Sequence, residues 1–236
     1  MEIKGAVLAF VDVAPELTED YNRWYDLDHL PTHTSRPEVI AGRRYVATEE
    51  LKALRRNVGL EALQDGKGAY FTTYMTNTIN FDSYGVLGKE LDRSLNKQGR
   101  MWRQGYVPYA GYYRLTGTFA AQGLPLAPAA IPYLAHRGIV IIIGDSESEV
   151  AKPWWEEVGL PAALAIDGIH GAISFESAAE TEPGRLAYML LVERDPADVS
   201  LNQALDATLT PPGDAWSALV TAPLRTVLPF EYDFNF

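Results

Sequence analysis

An α+β fold made from two copies of one βαββαβ unit is what this sequence predicts, and three observations predict it. Apolar, β-branched and aromatic runs bounded by glycine and proline alternate with amphipathic stretches in the order strand, helix, strand, strand, helix, strand. That order then repeats. Landmarks also recur about 130 residues apart: Trp24-Tyr25 with Trp154-Trp155, Leu30-Pro31 with Leu160-Pro161, and Gly42 with Gly171 at nearly the same offset.

Residues 6–13 (AVLAFVDV), between Gly5 and Pro15, read as a buried strand. Thr18 is placed to N-cap the next helix, with Glu19 and Asp20 where the helix dipole favours negative charge. That helix runs to about Leu30, where Pro31 discourages continuation. Leu17, Tyr21, Trp24 and Leu27 recur at helical spacing and mark its core face; Asn22, Tyr25, Asp26 and His29 form the adjoining stripe. Residues 42–48 and 69–76 are the next strands, and the charged stretch between them is a loop with one helical turn near Leu51. A second helix spans about 82–102. Gly85 and Gly88 lie inside it, each costing about 1 kcal/mol against alanine. Residues 107–119 are a long aromatic strand that completes the first unit, 1–119.

Residues 120–137, rich in Ala, Pro and Leu, form a linker lying on the protein surface. The second, degenerate unit is 138–236. Its strands are expected at 138–145, 168–176, 185–193 and 223–233. Its helices are expected at 147–158, interrupted by Pro153, and at 198–209, resuming near 214–220. Such βαββαβ units are ferredoxin-like modules, each a four-stranded antiparallel sheet with helices on one face. The bare face needs a cover, and the other module's bare face supplies it. Edge strands left over after this pairing could support a homodimer.

Composition narrows the function. The chain is ordinary for a globular protein at 47% hydrophobic and 22% charged, and its net charge of −11 argues against nucleic acid and anionic membranes as partners. With no cysteine, disulfides and thiolate chemistry are excluded. The N-terminus lacks the build of a signal peptide, and the longest apolar run, 138–144, is far short of the ~20 residues of a membrane span, so a cytoplasmic location is expected. No phosphate-binding glycine loop, dinucleotide fingerprint or Gly-x-Ser-x-Gly nucleophile is present.

The stretch Arg23-Trp24-Tyr25-Asp26-Leu27-Asp28-His29-Leu30-Pro31, followed by Arg43-Arg44-Tyr45 on the next strand, resembles the EthD-like branch of the dimeric α+β barrel superfamily. A W-Y-x-x-x-H-x-P helix end is typical there. The resemblance implies that the two halves pair into one barrel within a single polypeptide. The superfamily includes aromatic-polyketide cyclases, muconolactone-type isomerases, cofactor-free quinone-forming oxygenases, haem-degrading enzymes and stress-responsive proteins, so fold does not set the reaction. The second copy departs from the motif, with Val158 for Asp28 and Gly159 for His29. One working site and one structural copy are therefore expected.

His29 is the leading catalytic candidate, because imidazole exchanges protons near neutral pH. Asp26 or Asp28 could hold it in one tautomer, as the carboxylate does in a catalytic triad. The structural alternative has His29 capping the helix C-terminus and pairing with Asp26 on the surface. Candidate substrate-binding residues are Tyr25, His33, Arg43, Arg44, Tyr74, Trp102 and Tyr109. Only one of Arg43 and Arg44 can point inward, since they alternate across a strand; that one either binds an anionic or phenolate oxygen or pairs with Asp28. Several tyrosines on one face suit a flat, largely apolar ligand. An axial imidazole for haem could come from His29, His136 or His170, but no spacing requires it. No cofactor and no metal are expected.

The expected function is that of a cofactor-independent enzyme. It would move a proton next to a carbonyl of an aromatic or polyketide-like small molecule, as a lyase or isomerase (isomerase, dehydratase or cyclase type). The competing readings are a haem-dependent or cofactor-free monooxygenase, and a non-catalytic small-molecule-binding barrel.

Overall fold

The computed structural model describes residues 2–57, 59–146, 150–211 and 215–234. Strand β1 (Gly5–Val13) leads through a 3-10 turn (Pro15–Leu17) into helix α1 (Thr18–Trp24), a π turn (Tyr25–His29) and helix α2 (Leu30–Thr34). Strand β2 (Val39–Val46), helix α3 (Glu49–Ala53), strand β3 (Arg56–Asn57), strand β4 (Tyr70–Thr76), helix α4 (Phe81–Lys97) and strand β5 (Gly105–Ala120) complete the first half. The second half contains strand β6 (Gly138–Ser146), helix α5 (Ala151–Trp154), a π turn (Trp155–Gly159) and helix α6 (Leu160–Leu164). Strand β7 (Ile169–Ser177), strand β8 (Arg185–Val192), helix α7 (Val199–Thr208) and strand β9 (Trp216–Thr226) follow.

The strands lie in the order β2-β4-β1-β5-β7-β8-β6-β9-β3, with a further β2–β9 pairing that closes the sheet on itself. Each half has the ferredoxin-like order, second strand, third, first, fourth. One seam is long, β5 on β7 from Tyr113↔Ser177 to Ala120↔Gly171. The other is short, β2 on β9 at Tyr45↔Thr226 and Val46↔Arg225. The two bare faces meet inside, as expected. Leu8, Phe10, Phe71, Met75, Tyr113, Ile141, Phe175, Met189 and Leu224 fill the barrel as one apolar core. Because side chains alternate along a strand, Val7, Ala9 and Val11 point away from that core and face the helices outside it.

Several boundaries move, each for a physical reason. The first helix does not stop at Pro31 but continues to Thr34. In the π turn the Leu30 N–H bonds to the Tyr25 carbonyl, five residues back, so the ladder passes over a proline that has no N–H to give. The extra residue also shifts the helical phase. Leu27, assigned to the core by its spacing, is 59% exposed, and Tyr25, His29 and His33 turn inward instead. The second copy repeats the device, the Leu160 N–H bonding to the Trp155 carbonyl ahead of Pro161. Pro153 does not break its helix; it sits in the first turn of α5, where a backbone N–H has no helical partner. The expected start of this helix, 147–149, lies outside the described residues.

Helix α4 ends at Lys97 rather than 102. Gly99 adopts φ 72°, and Arg100 N–H bonds back to the Leu95 carbonyl at 2.9 Å, a Schellman termination. At the far end, 216–220 are strand rather than helix, because β9 pairs along nearly all of β6. Residues after Thr226 are not a strand; Tyr232 and Phe234 pack onto the Tyr21–Tyr25–Tyr70 cluster of the first half. The linker is less superficial than expected, since Ile131 is fully buried in the barrel core. Among the described residues no helix is long and apolar enough to cross a membrane.

Candidate active site

A cavity of about 450 Å³ lies between the outer face of the first half's sheet and its helices. The floor comes from β1 (Val7, Ala9, Val11), β4 (Thr72, Tyr74) and β5 (Ala110, Tyr112). One wall is Trp24, Tyr25, His29 and His33; the opposite wall is Tyr84, Gly85, Gly88, Lys89 and Asp92 of α4, with Trp102 beyond its end. Gly42 allows the first wall to press onto β2, since a methyl there would stand 2.6 Å from Leu30 Cδ1.

The His29 ring is enclosed by aromatic partners. Its centre is 4.6 Å from Trp24, 4.7 Å from Tyr25 and 4.2 Å from His33. Burial, then the neighbouring His33, pushes its pKa down to about 3, so the ring is neutral at any physiological pH. Its Nδ1 is buried with no hydrogen-bond partner. A proton there would be an orphaned donor, so the neutral ring favours carrying its hydrogen on Nε2.

The carboxylate facing an imidazole here is one the sequence reading missed. Asp92 Oδ1 stands 3.4 Å from His33 Nε2, an ion-pair distance that is long for a hydrogen bond. His33 holds the Asp92 carboxyl below the usual carboxylate range. Asp26 and Asp28 do not take the orienting role assigned to them. Asp26 accepts from Arg44 Nη1 at 2.7 Å and from the Tyr232 hydroxyl at 2.5 Å. Asp28 accepts two hydrogen bonds from Arg100, at 3.0 and 2.7 Å, and one from Thr32. Neither is hydrogen-bonded to His29 among the described residues; the π turn rotates both away. The surface-cap alternative for His29 fails on the same observation.

Of the expected substrate-binding residues, Tyr25, His33, Tyr74 and Trp102 border the cavity. Three do not. Tyr109 lies inside the barrel, hydrogen-bonded to Tyr113. Arg43 reaches the Tyr133 carbonyl at 3.3 Å. Arg44 sits behind the site, bonded to Asp26 and Asn22, with its guanidinium 4.1 Å over the Tyr25 ring. It braces Tyr25, whose hydroxyl pairs with that of Tyr74 at 2.9 Å. Arg36, Tyr84, Lys89, Asp92 and Tyr112 also border the cavity and were not singled out. Only the unfavourable glycines of α4 hinted that this helix faces something other than packed side chains.

The equivalent space in the second half is filled. Trp155 stacks on Tyr188 at 4.5 Å and meets Trp216 at 5.3 Å, and Trp154 crowds Gly159, where a methyl would stand 2.7 Å from its ring.

No protein-family model matches the sequence, and no curated protein sequence is significantly similar to it. Solved structures do resemble it. A candidate monooxygenase from Fusobacterium nucleatum superposes with a TM-score of 0.57 at 9% identity, over 100% of this chain and 98% of its own. The fold is that of the dimeric α+β barrels. A candidate DyP-type peroxidase from Shewanella oneidensis gives 0.57 at 9% identity over 100% and 96%. A variant chlorite dismutase from Candidatus Nitrospira defluvii gives 0.54 at 12% over 96% and 92%. At these identities the likeness establishes architecture and nothing about chemistry.

Two of the imidazoles weighed as haem ligands, His29 and His136, do not fit that role. An iron-bound histidine donates its other ring N–H to an acceptor, and His29 Nδ1 has none. Both nitrogens of His136 are engaged, by the Tyr45 hydroxyl at 2.9 Å and the Leu134 carbonyl at 2.8 Å. His170 does not border the cavity; it lies in the second half with Nδ1 3.5 Å from Glu193 and Nε2 buried without a hydrogen-bond partner. Among the described residues no group of three or more His, Asp or Glu is arranged to hold a metal ion.

Proposed function

We propose that the cavity is the active site of an enzyme that moves a proton next to a carbonyl on an aromatic or polyketide-like small molecule. One observation carries this reading: two imidazoles 4.2 Å apart border an aromatic cavity, one held neutral by burial and one facing a carboxylate. A carbonyl oxygen and its α-hydrogen are separated by a distance two such rings can span. His29 donates its Nε2–H to the carbonyl oxygen, in the manner of a neutral electrophilic imidazole. His33, with Nε2 turned to Asp92, receives the α-proton on Nδ1, and Asp92 stabilises the imidazolium that forms. The enolate's charge builds on an oxygen already hydrogen-bonded in a largely aromatic pocket. Returning the proton to a different carbon gives isomerisation, and attack of the enolate on a second carbonyl gives cyclisation. By its Arg23–Pro31 motif we place the chain in the EthD-like branch, with 1–119 as the working unit and 138–236 as the structural one.

The test is turnover of a panel of aryl β-diketones. His29→Ala and His33→Ala are each expected to lower it ~10²-fold or more with the circular dichroism unchanged; full activity in both variants would sink the assignment. A second reading is a cofactor-free monooxygenase, monooxygenase activity being suggested for two proteins of the same fold, from Fusobacterium nucleatum and Lactobacillus acidophilus. It shares the deprotonation step and differs in sending the carbanion to O₂. Oxygen uptake matching substrate loss would select it.

A further inference from the structure

Gly85 and Gly88 stand one turn apart in α4, where glycine is unfavourable, and both border the cavity. A methyl at Gly85 would sit 3.2 Å from the Tyr112 hydroxyl, and one at Gly88 would sit 3.2 Å from Arg36 Nη1. Both separations are tighter than ordinary contact. Glycine therefore keeps the wall open where two cations, Arg36 and Lys89, meet the cavity.

Arg36 is built in rather than adventitious. Its side chain is 9% exposed, its Nη2 donates to the Tyr84 carbonyl at 3.0 Å, and its guanidinium lies 4.1 Å over the Tyr84 ring. Glu38 approaches only Nε, at 3.6 Å. Lys89 is exposed at the rim and makes no ion pair among the described residues. The carboxylate that borders the cavity, Asp92, is engaged with His33. Glu38 and Asp92 offset part of this charge, and Lys89 with the Nη side of Arg36 gives this end of an otherwise aromatic pocket its cationic groups.

We infer that the substrate is an aromatic or polyketide-like carboxylate, whose anionic end passes between Gly85 and Gly88 and is held by Arg36 and Lys89. Its ring lies against Trp24, Trp102 and Tyr112. This rests on reading the cavity as the active site, and it adds a charge that the proton transfer itself does not require.

The experiment is isothermal titration of the full chain with 2-naphthoate and with its neutral amide, 2-naphthamide, at pH 7. The naphthoate is expected to bind roughly tenfold tighter or more, with a preference that falls as salt is raised. Lys89→Met is expected to reduce the preference and Arg36→Met to abolish it, the preference being read as the ratio of the two affinities within each variant. Gly88→Ala is expected to weaken naphthoate several-fold by pressing on Arg36. Equal affinity of the two probes for the unaltered protein overturns the charge inference and spares the active-site reading. Binding of neither probe overturns both.

Discussion

Asp92 reaches His33 from across the cavity: its Oδ1, on α4, stands 3.4 Å from the Nε2 of an imidazole on α2. The two helices are joined through that contact in the wall where the proposed chemistry takes place. Asp92→Asn keeps the shape but cannot stabilise an imidazolium. It is expected to lower kcat about 10²-fold with little change in KM, because the carboxylate acts on His33 and does not touch the substrate. A change confined to KM would assign Asp92 to binding instead.

Arg44 and Asp26 form a buried pair, with side chains 3% and 8% exposed. Removing one charge strands the other, so Arg44→Met is expected to destabilise the protein by about 3–5 kcal/mol in urea unfolding. Tyr232→Phe removes one hydrogen bond to the charged Asp26 and is expected to cost about 1.5–3 kcal/mol. The second effect would show that the C-terminal segment holds the site's supporting cluster together.

Acid stability has a histidine signature. Burial lowers the pKa of His29 to about 3 and that of His136 to about 4, from an ordinary value of 6.5. Between about pH 6.5 and 4 the unfolded chain therefore binds protons that the folded chain refuses, and stability falls as pH falls. The carboxylates held low, Asp28 and Asp92, act in the same direction only below their ordinary value of 3.8. Urea midpoints across pH 4.5–6.5 are expected to decline in the natural protein and to flatten in a His29→Leu, His136→Leu double variant. A flat profile in the natural protein would contradict the burial argument.

The second copy of the motif is closed by its tryptophans. Gly159→Ala puts a methyl 2.7 Å from the Trp154 ring and 3.0 Å from that of Trp155, and is expected to destabilise by about 1–3 kcal/mol. Gly159→His, which restores the motif, is expected to destabilise further and to add no turnover.

The repeat made the architecture legible. Trp24-Tyr25 and Trp154-Trp155, Leu30-Pro31 and Leu160-Pro161 occupy matching places in two units whose sheets share one core. The site was legible only in part. Strand alternation puts Tyr109 and Tyr113 on one face and Tyr106 and Tyr112 on the other, but does not say which face is barrel interior; Tyr109 fell on the wrong side. A helical repeat of 3.6 residues carries Leu27 inward and Asp26 toward His29, and the π turn cancels both. Asp92 was out of reach for a different reason. Nothing local distinguishes it from the other charges of α4, and only the packing of two helices brings it to His33.

The central claim is that His33, backed by Asp92, takes a proton from carbon while His29 polarises the carbonyl. Deuterium wash-in from D₂O at the α-carbon of a 1-aryl-1,3-diketone carboxylate, followed by proton NMR, tests it most directly. The natural protein is expected to exchange that position well above the buffer rate, with the rate falling ~10²-fold in His33→Gln and in His29→Ala. Exchange undiminished in His33→Gln would contradict the account.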